Sequence, residues 1–120
     1  MRIFKNSWFT RFAGKEGITD GELRELVNQL ETGQADADLG GGVYKIRLAR
    51  PGEGKSGGYR VIVFFKSEER TFYEYCFAKA DMANISNKML KAFKLAAKKY
   101  LSMAPDQLRE QIEQKKFIEL

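Results

Sequence analysis

The chain has 120 residues, 43% hydrophobic and 12% aromatic with only 2 prolines, a composition that excludes disorder and suits a single domain over 1–120 with a real core. Its formal net charge of +5 and pI near 9.4 point to an anionic partner, for which nucleic acid, an acidic protein and a membrane surface all qualify on charge alone. One cysteine, Cys76, excludes an intrachain disulfide, and the lack of histidine argues against an ordinary zinc site, so chemistry without metal or cofactor, or no chemistry, is expected.

The N-terminal MRIFKNSWF lacks the apolar stretch and cleavage site of a signal peptide, and no later apolar run reaches transmembrane length. A cytoplasmic protein with no membrane partner is expected. RIFK reads as a short opening strand whose neighbour the sequence does not indicate. Ser7 is placed to cap a short helix that carries Trp8, Phe9 and Phe12 into the core and ends at Gly14. Thr19 and Glu22 have capping-box spacing, and Leu23, Leu26, Val27 and Leu30 then form the apolar stripe of a second helix that stops at Gly33. The following QADADLGGG, Gln34 to Gly42, reads as a loop.

From Val43 to Lys66 the sequence predicts two strands joined by a glycine-rich loop. VYKIRLA alternates by twos, so Lys45 and Arg47 fall on one face while Tyr44, Ile46 and Leu48 fall on the other, which is buried. YRVIVFF is a second strand with Arg60 at its entrance. Lys45, Arg47, Arg50, Lys55, Arg60 and Lys66 stand against Glu53 alone, so this stretch carries as much net charge as the whole chain. Like charges on adjacent strands repel, so the arrangement suggests a phosphate-binding surface; the alternative is a solvated basic face paired with carboxylates from elsewhere. The loop GEGKSGG is not a nucleotide-triphosphate loop, because Ala49 stands where that motif needs its first glycine and a strand, not a helix, follows Lys55 and Ser56.

SEER then reads as a turn and TFYEYCFAK as a third strand, antiparallel to its predecessor because the connection is too short for a crossover, with Lys79 at its exit. Tyr59, Tyr73 and Tyr75 either stack on bases or pack on neighbours, and Cys76, without a histidine to activate it, is structural. From Asn84 to Ser102, Ile85, Met89, Phe93, Ala96 and Tyr100 recur at helical spacing. The same helix bears Lys88, Lys91, Lys94, Lys98 and Lys99 with no acidic residue between Met82 and Pro105, either a solvated face or an extension of a track for RNA. Pro105 opens a last helix with Leu108 and Ile112 inward, and KFIEL closes the chain as a small strand or a tail. The order β-α-α-β-β-β-α-α describes an α+β fold with helices against a mostly antiparallel sheet.

GGVYKIRLARPGEGKSGGYRVIVFF followed by FYEYCFAKADMANI resembles the RelE/ParE superfamily of bacterial toxins, in particular its HigB-like branch. That resemblance implies a RelE-like fold with an N-terminal helical pair and C-terminal helices. It also implies a toxin of a type II toxin-antitoxin system, acting as a ribosome-dependent mRNA endonuclease and neutralised by a cognate antitoxin. Cleavage in such enzymes uses the 2′-hydroxyl of the RNA and a cluster of basic side chains. Lys45 and Arg47 match the two basic strand positions, Arg60 the arginine opening the next strand, Lys79 a further basic position, and Lys55 the loop lysine. The expected catalytic set is Lys45, Arg47, Arg60 and Lys79, with Arg50, Lys55, Lys91 and Lys94 binding RNA. A lysine crowded by arginines has its charged form disfavoured, which makes Lys45 the candidate base; Arg47 and Arg60 would stabilise the phosphate, and Lys55 or Lys79 bind the backbone or donate a proton. Ala80 and Ser86 depart from the RelE pattern, where an arginine and a tyrosine are expected, and leave the general acid and base open. Two other readings share the sequence features: a ParE-like gyrase inhibitor, and an RNA-binding domain without catalysis.

Overall fold

The computed structural model describes residues 1–50 and 54–120, and of 54–57 the backbone alone. Along the chain it runs β1 (Arg2–Asn6), α1 (Ser7–Glu16), α2 (Asp20–Glu31), β2 (Ala37–Gly40), β3 (Val43–Arg50), β4 (Gly54–Lys66), β5 (Arg70–Ala78), α3 (Asn87–Leu101), α4 (Pro105–Glu113) and β6 (Phe117–Glu119). The strands form one sheet in the order β2-β3-β4-β5-β1-β6. Every pairing is antiparallel except β1 with β5, so the α+β class holds and the opening strand lies inside the sheet between β5 and β6. Among the described residues no helix is long and apolar enough to cross a membrane.

Local chemistry sets the helix ends. Thr19 and Glu22 exchange both capping-box bonds at the start of α2, Ser86 caps α3, and Pro105 opens α4. Two expected ends move. The cap of α1 is Asn6, not Ser7, because the Asn6 carboxamide oxygen accepts from Phe9 N at 2.6 Å, and the helix continues past Gly14 to a left-handed cap at Gly17 with φ 73°.

Two stretches read as loops are strand. Ala37–Gly40 pairs with β3 as the sheet's edge, and the backbone of Gly54 to Gly58 belongs to β4; Pro51, Gly52 and Glu53 lie outside the described residues. Gly58 explains how glycines persist in a strand. The β3 ladder is irregular between Leu48 and Arg50, and a Cβ at Gly58 would sit 2.2 Å from Leu48 O and 2.8 Å from Arg50 N, so only glycine fits.

Both faces of the sheet are buried, which corrects the expectation of one apolar and one open face. Ile46, Leu48, Tyr59, Val61, Val63 and Tyr73 join Phe9 of α1 and the Leu23, Leu26, Val27 and Leu30 stripe of α2 in one core. Val43, Ile62, Phe64 and Phe72 form the other with Ala97 of α3, Leu108 of α4 and Phe117 of β6. The continuous VIVFF run is the sequence signature of such two-sided burial. Cys76 is buried in the first core, which pushes its thiol up to about 12 and fits the structural role.

On β5, Glu74 is a bulge: Tyr73 pairs with Val63 and Tyr75 with Ile62, so the skipped residue returns Tyr75 to the face of Ile62. Trp8, half-exposed rather than core, stacks on Tyr75 at 4.7 Å where β1 has ended. The Asn6 carboxamide donates to Glu74 O at 2.9 Å and to its carboxylate at 3.1 Å. Burial raises the Glu74 pKa, and the Asn6 hydrogen bond opposes the rise.

Gly58→Ala is expected to cost on the order of 2 kcal/mol or more, since its methyl meets backbone rather than a side chain that can move. A melting temperature equal to that of the parent would contradict this account of the β3–β4 contact. Glu74 gives a pH-dependent prediction. A carboxyl whose folded pKa is raised contributes stability below the ordinary carboxylate pKa and loses it as pH rises through the folded value. Glu74→Gln, which keeps an acceptor for Asn6, should therefore melt above the parent at pH 7, with the gain shrinking as pH falls into the carboxylate range; a variant that melts lower at pH 7 would refute this.

Candidate functional site

Strand alternation places Val43, Lys45 and Arg47 of β3 on the same face as Phe64, Ile62 and Arg60 of β4, and the register sets Val43 opposite Phe64, Lys45 opposite Ile62 and Arg47 opposite Arg60. This face is apolar at one end and cationic at the other. Val43, Ile62 and Phe64 are fully buried beneath the C-terminal helices, whereas Lys45, Arg47 and Arg60, at the other end of the face, are half-buried. On its other side Arg60 faces buried Phe77 of β5, and its Nη1 is shielded from solvent. Three of the predicted catalytic residues are thus brought together on two adjacent strands.

Side chains directly opposite in such a pair have Cβ atoms about 5 Å apart, so Arg47 and Arg60 repel. Asp36, just before β2, offsets this. Its N–H donates to Lys45 O at 3.0 Å, and its carboxylate accepts from Arg47 N at 2.5 Å and from Arg47 Nε at 2.8 Å. Arg47 is therefore paired with a carboxylate from elsewhere in the chain, as the alternative reading of the basic face allowed.

Lys79, the fourth, is exposed just beyond β5. Its N–H donates to Gly58 O at 3.3 Å, which sets its backbone beside the strand that leads into Arg60. Arg50 is not brought to this group. It shares the parity of Ile46 and Leu48 and so lies on the α1 side, where Nη2 lies 3.9 Å from Glu16 Oε1 and the guanidinium sits 5.6 Å from the Tyr59 ring. The Lys55 side chain lies outside the described residues.

Lys91 and Lys94 are exposed on α3, and among the described residues no ion pair joins any of the five α3 lysines to a carboxylate. Lys94 runs along the Gly40-Gly41 turn, at the end of β3 away from Arg47: a Cβ at Gly40 would come within 3.4 Å of its Nζ. Of the three tyrosines, Tyr59 donates to Glu16 and Tyr73 to Leu23 O inside the first core, and only Tyr75 lies on the cationic face, stacked on Trp8. Burial, with the Glu16 hydrogen bond, pushes the Tyr59 phenol up to about 12. Asp36 was not foreseen. Its role comes from the edge strand that follows it, and QADADLGGG offers no bulky residue that announces a strand.

Chemically, the site is a rigid patch of cations on paired strands, bordered by aromatic rings and fixed at Arg47 by a carboxylate, suited to holding a phosphodiester. A family model described as the RelE toxin of the RelE / RelB toxin-antitoxin system matches residues 1–120, across every strand and helix described above. Such a match implies a cognate antitoxin as partner. With the six-stranded α+β fold and the basic pair on its adjacent strands β3 and β4, it establishes that this chain belongs to the RelE family of toxins from toxin-antitoxin systems.

Proposed function

We propose that the protein is a ribosome-dependent mRNA endonuclease of the HigB-like branch, a single RelE-like domain acting in the cytoplasm without metal or cofactor and silenced by its antitoxin. The observation that carries this reading is the placement of Arg47 opposite Arg60 with Lys45 two residues along the same face. Toxins of the family are generally endoribonucleases. A gyrase inhibitor or a plain RNA-binding domain has no need of three cations focused on one phosphate.

In the reaction proposed, the 2′-oxygen of the message attacks the adjacent phosphorus, the bond from phosphorus to the 5′-oxygen breaks, and a 2′,3′-cyclic phosphate and a free 5′-hydroxyl result. One proton leaves the 2′-hydroxyl and one reaches the departing 5′-oxygen. Lys45 takes the first, and Lys79 supplies the second. Arg60 and Arg47 hold the extra negative charge of the phosphorane, for which the planar guanidinium is the fitting donor. Lys55, Lys91 and Lys94 bind the RNA backbone, with α3 extending the cationic surface along the ribosome. Arg50, on the α1 side, makes a separate contact with RNA away from the reacting phosphate.

Arg60→Ala should lower the single-turnover cleavage rate on programmed ribosomes by about 10²-fold or more while the variant still melts cooperatively, since removing one of two opposed cations relieves repulsion. Arg60→Lys should recover only part of the rate. A fully active Arg60→Ala would remove this residue from the site. Replacing Lys91 and Lys94 together by glutamate should weaken ribosome binding in a salt-dependent way; unchanged binding at low salt would make α3 a solvated face. Growth arrest with intact mRNA and blocked gyrase would transfer the reading to the ParE-like activity.

A further inference from the structure

We infer that Asp36 is a positioning residue for the nuclease, one that aims the Arg47 guanidinium at the scissile phosphate; the inference rests on the nuclease reading above. Edge strand β2 begins at Ala37, which pairs with Lys45, so beyond Lys45 the outer side of β3 has no strand beside it. Asp36 takes the place of that strand. Its own N–H closes the ladder on Lys45 O, and its Oδ2 accepts the N–H of Arg47 that a further strand residue would otherwise have accepted.

The same carboxylate holds the side chain. Oδ1 accepts from Nε at 2.8 Å, the inner nitrogen of the guanidinium. A carboxylate that gripped the outer edge of the arginine would consume the two-pronged donor set that a phosphate needs. Here one oxygen is spent on the backbone and one on Nε, so Nη1 and Nη2 have no protein partner among the described residues and the side chain stays 40% exposed. The planar group is fixed in direction with its outer nitrogens presented. Asp36 also offsets the repulsion between Arg47 and Arg60 when no RNA is bound, which is a purely structural benefit and the competing explanation of the contact.

The two explanations separate in a double-mutant cycle. Asp36→Asn offers one acceptor where two donors converge, so the guanidinium loses its fixed direction. Single-turnover cleavage on programmed ribosomes, with ribosome affinity and thermal melting of each variant, would be compared for the parent, Asp36→Asn, Arg47→Ala and the double variant. We expect Asp36→Asn to slow cleavage by about tenfold or more at unchanged ribosome affinity, and to cause no further slowing once Arg47 is alanine. Cleavage at the parental rate, or equal slowing in both backgrounds, would overturn the inference in favour of simple charge compensation. If Asp36→Asn melts below the assay temperature, Asp36→Glu serves instead: it keeps the charge but displaces the carboxylate, so slowed cleavage supports positioning and a parental rate overturns it. A parent that leaves the message intact overturns the nuclease reading and this inference together, whereas a cleaving parent with a fully active Arg47→Ala overturns the inference alone.

Discussion

Arg47 and Arg60 stand directly across from one another on the adjacent strands β3 and β4, and the rest of the structure makes that like-charge pair tolerable. Two opposed guanidinium groups cannot supply their own stability. It comes from beneath, where Ile46, Val61 and Tyr59 anchor the same strands in the core of α1 and α2, and from further along the same face, where Val43, Ile62 and Phe64 are sealed by the C-terminal helices. Asp36 neutralises one member at the sheet edge, and Gly58 lets the start of β4 press against β3 close to the other. The cations are therefore mounted on paired, well-packed strands that hold them together in advance of any ligand, the condition under which fixed charges stabilise a transition state most effectively.

Two-sided burial also explains why the site occupies only one end of its face. A sheet open on its whole second face would spread a bound RNA over many positions. Here α3 and α4 cover the apolar half, and Lys45, Arg47 and Arg60 stand together at the other end, where on the proposed nuclease reading one phosphate of a message would meet all three. The lysines of α3, which carry no paired carboxylate among the described residues, continue the positive surface away from that end. Trp8 and Tyr75 border the site on the β5 side, a stacked pair that exists because β1 ends early and the Glu74 bulge turns Tyr75 onto this face.

The helices were legible because their signals are local: the Thr19 and Glu22 box and the leucine stripe of α2 act within a few residues of one another. Lys45, Arg47 and Arg60 were legible as a set because strand parity needs only the residues between them. What failed depended on distant pairing or on a break in parity. Ala37–Gly40 is a strand only because β3 lies beside it, and the backbone of Gly54 to Gly58 is strand against its own propensity because it continues β4 alongside β3, with Gly58 at an approach where a Cβ would not fit. The one-residue bulge at Glu74 sent Tyr75 to the cationic face, which simple alternation does not anticipate, whereas Arg50 on the α1 side is where alternation from Ile46 and Leu48 puts it. The burial of both faces was written in the VIVFF run, but its second cover comes from helices more than twenty residues downstream. Asp36 reaches Arg47 across eleven positions, and nothing in QADADLGGG announces that contact.

The central claim is that this cationic sheet end cuts mRNA by turning the RNA's own 2′-oxygen on its phosphate. Its most direct test is a programmed ribosome carrying a message with a single 2′-deoxy nucleotide at the position where the unmodified message is cut. The account predicts that the unmodified message yields a 2′,3′-cyclic phosphate end and that the deoxy substitution abolishes cutting at that bond. Cleavage of the deoxy-substituted bond at an undiminished rate would contradict it.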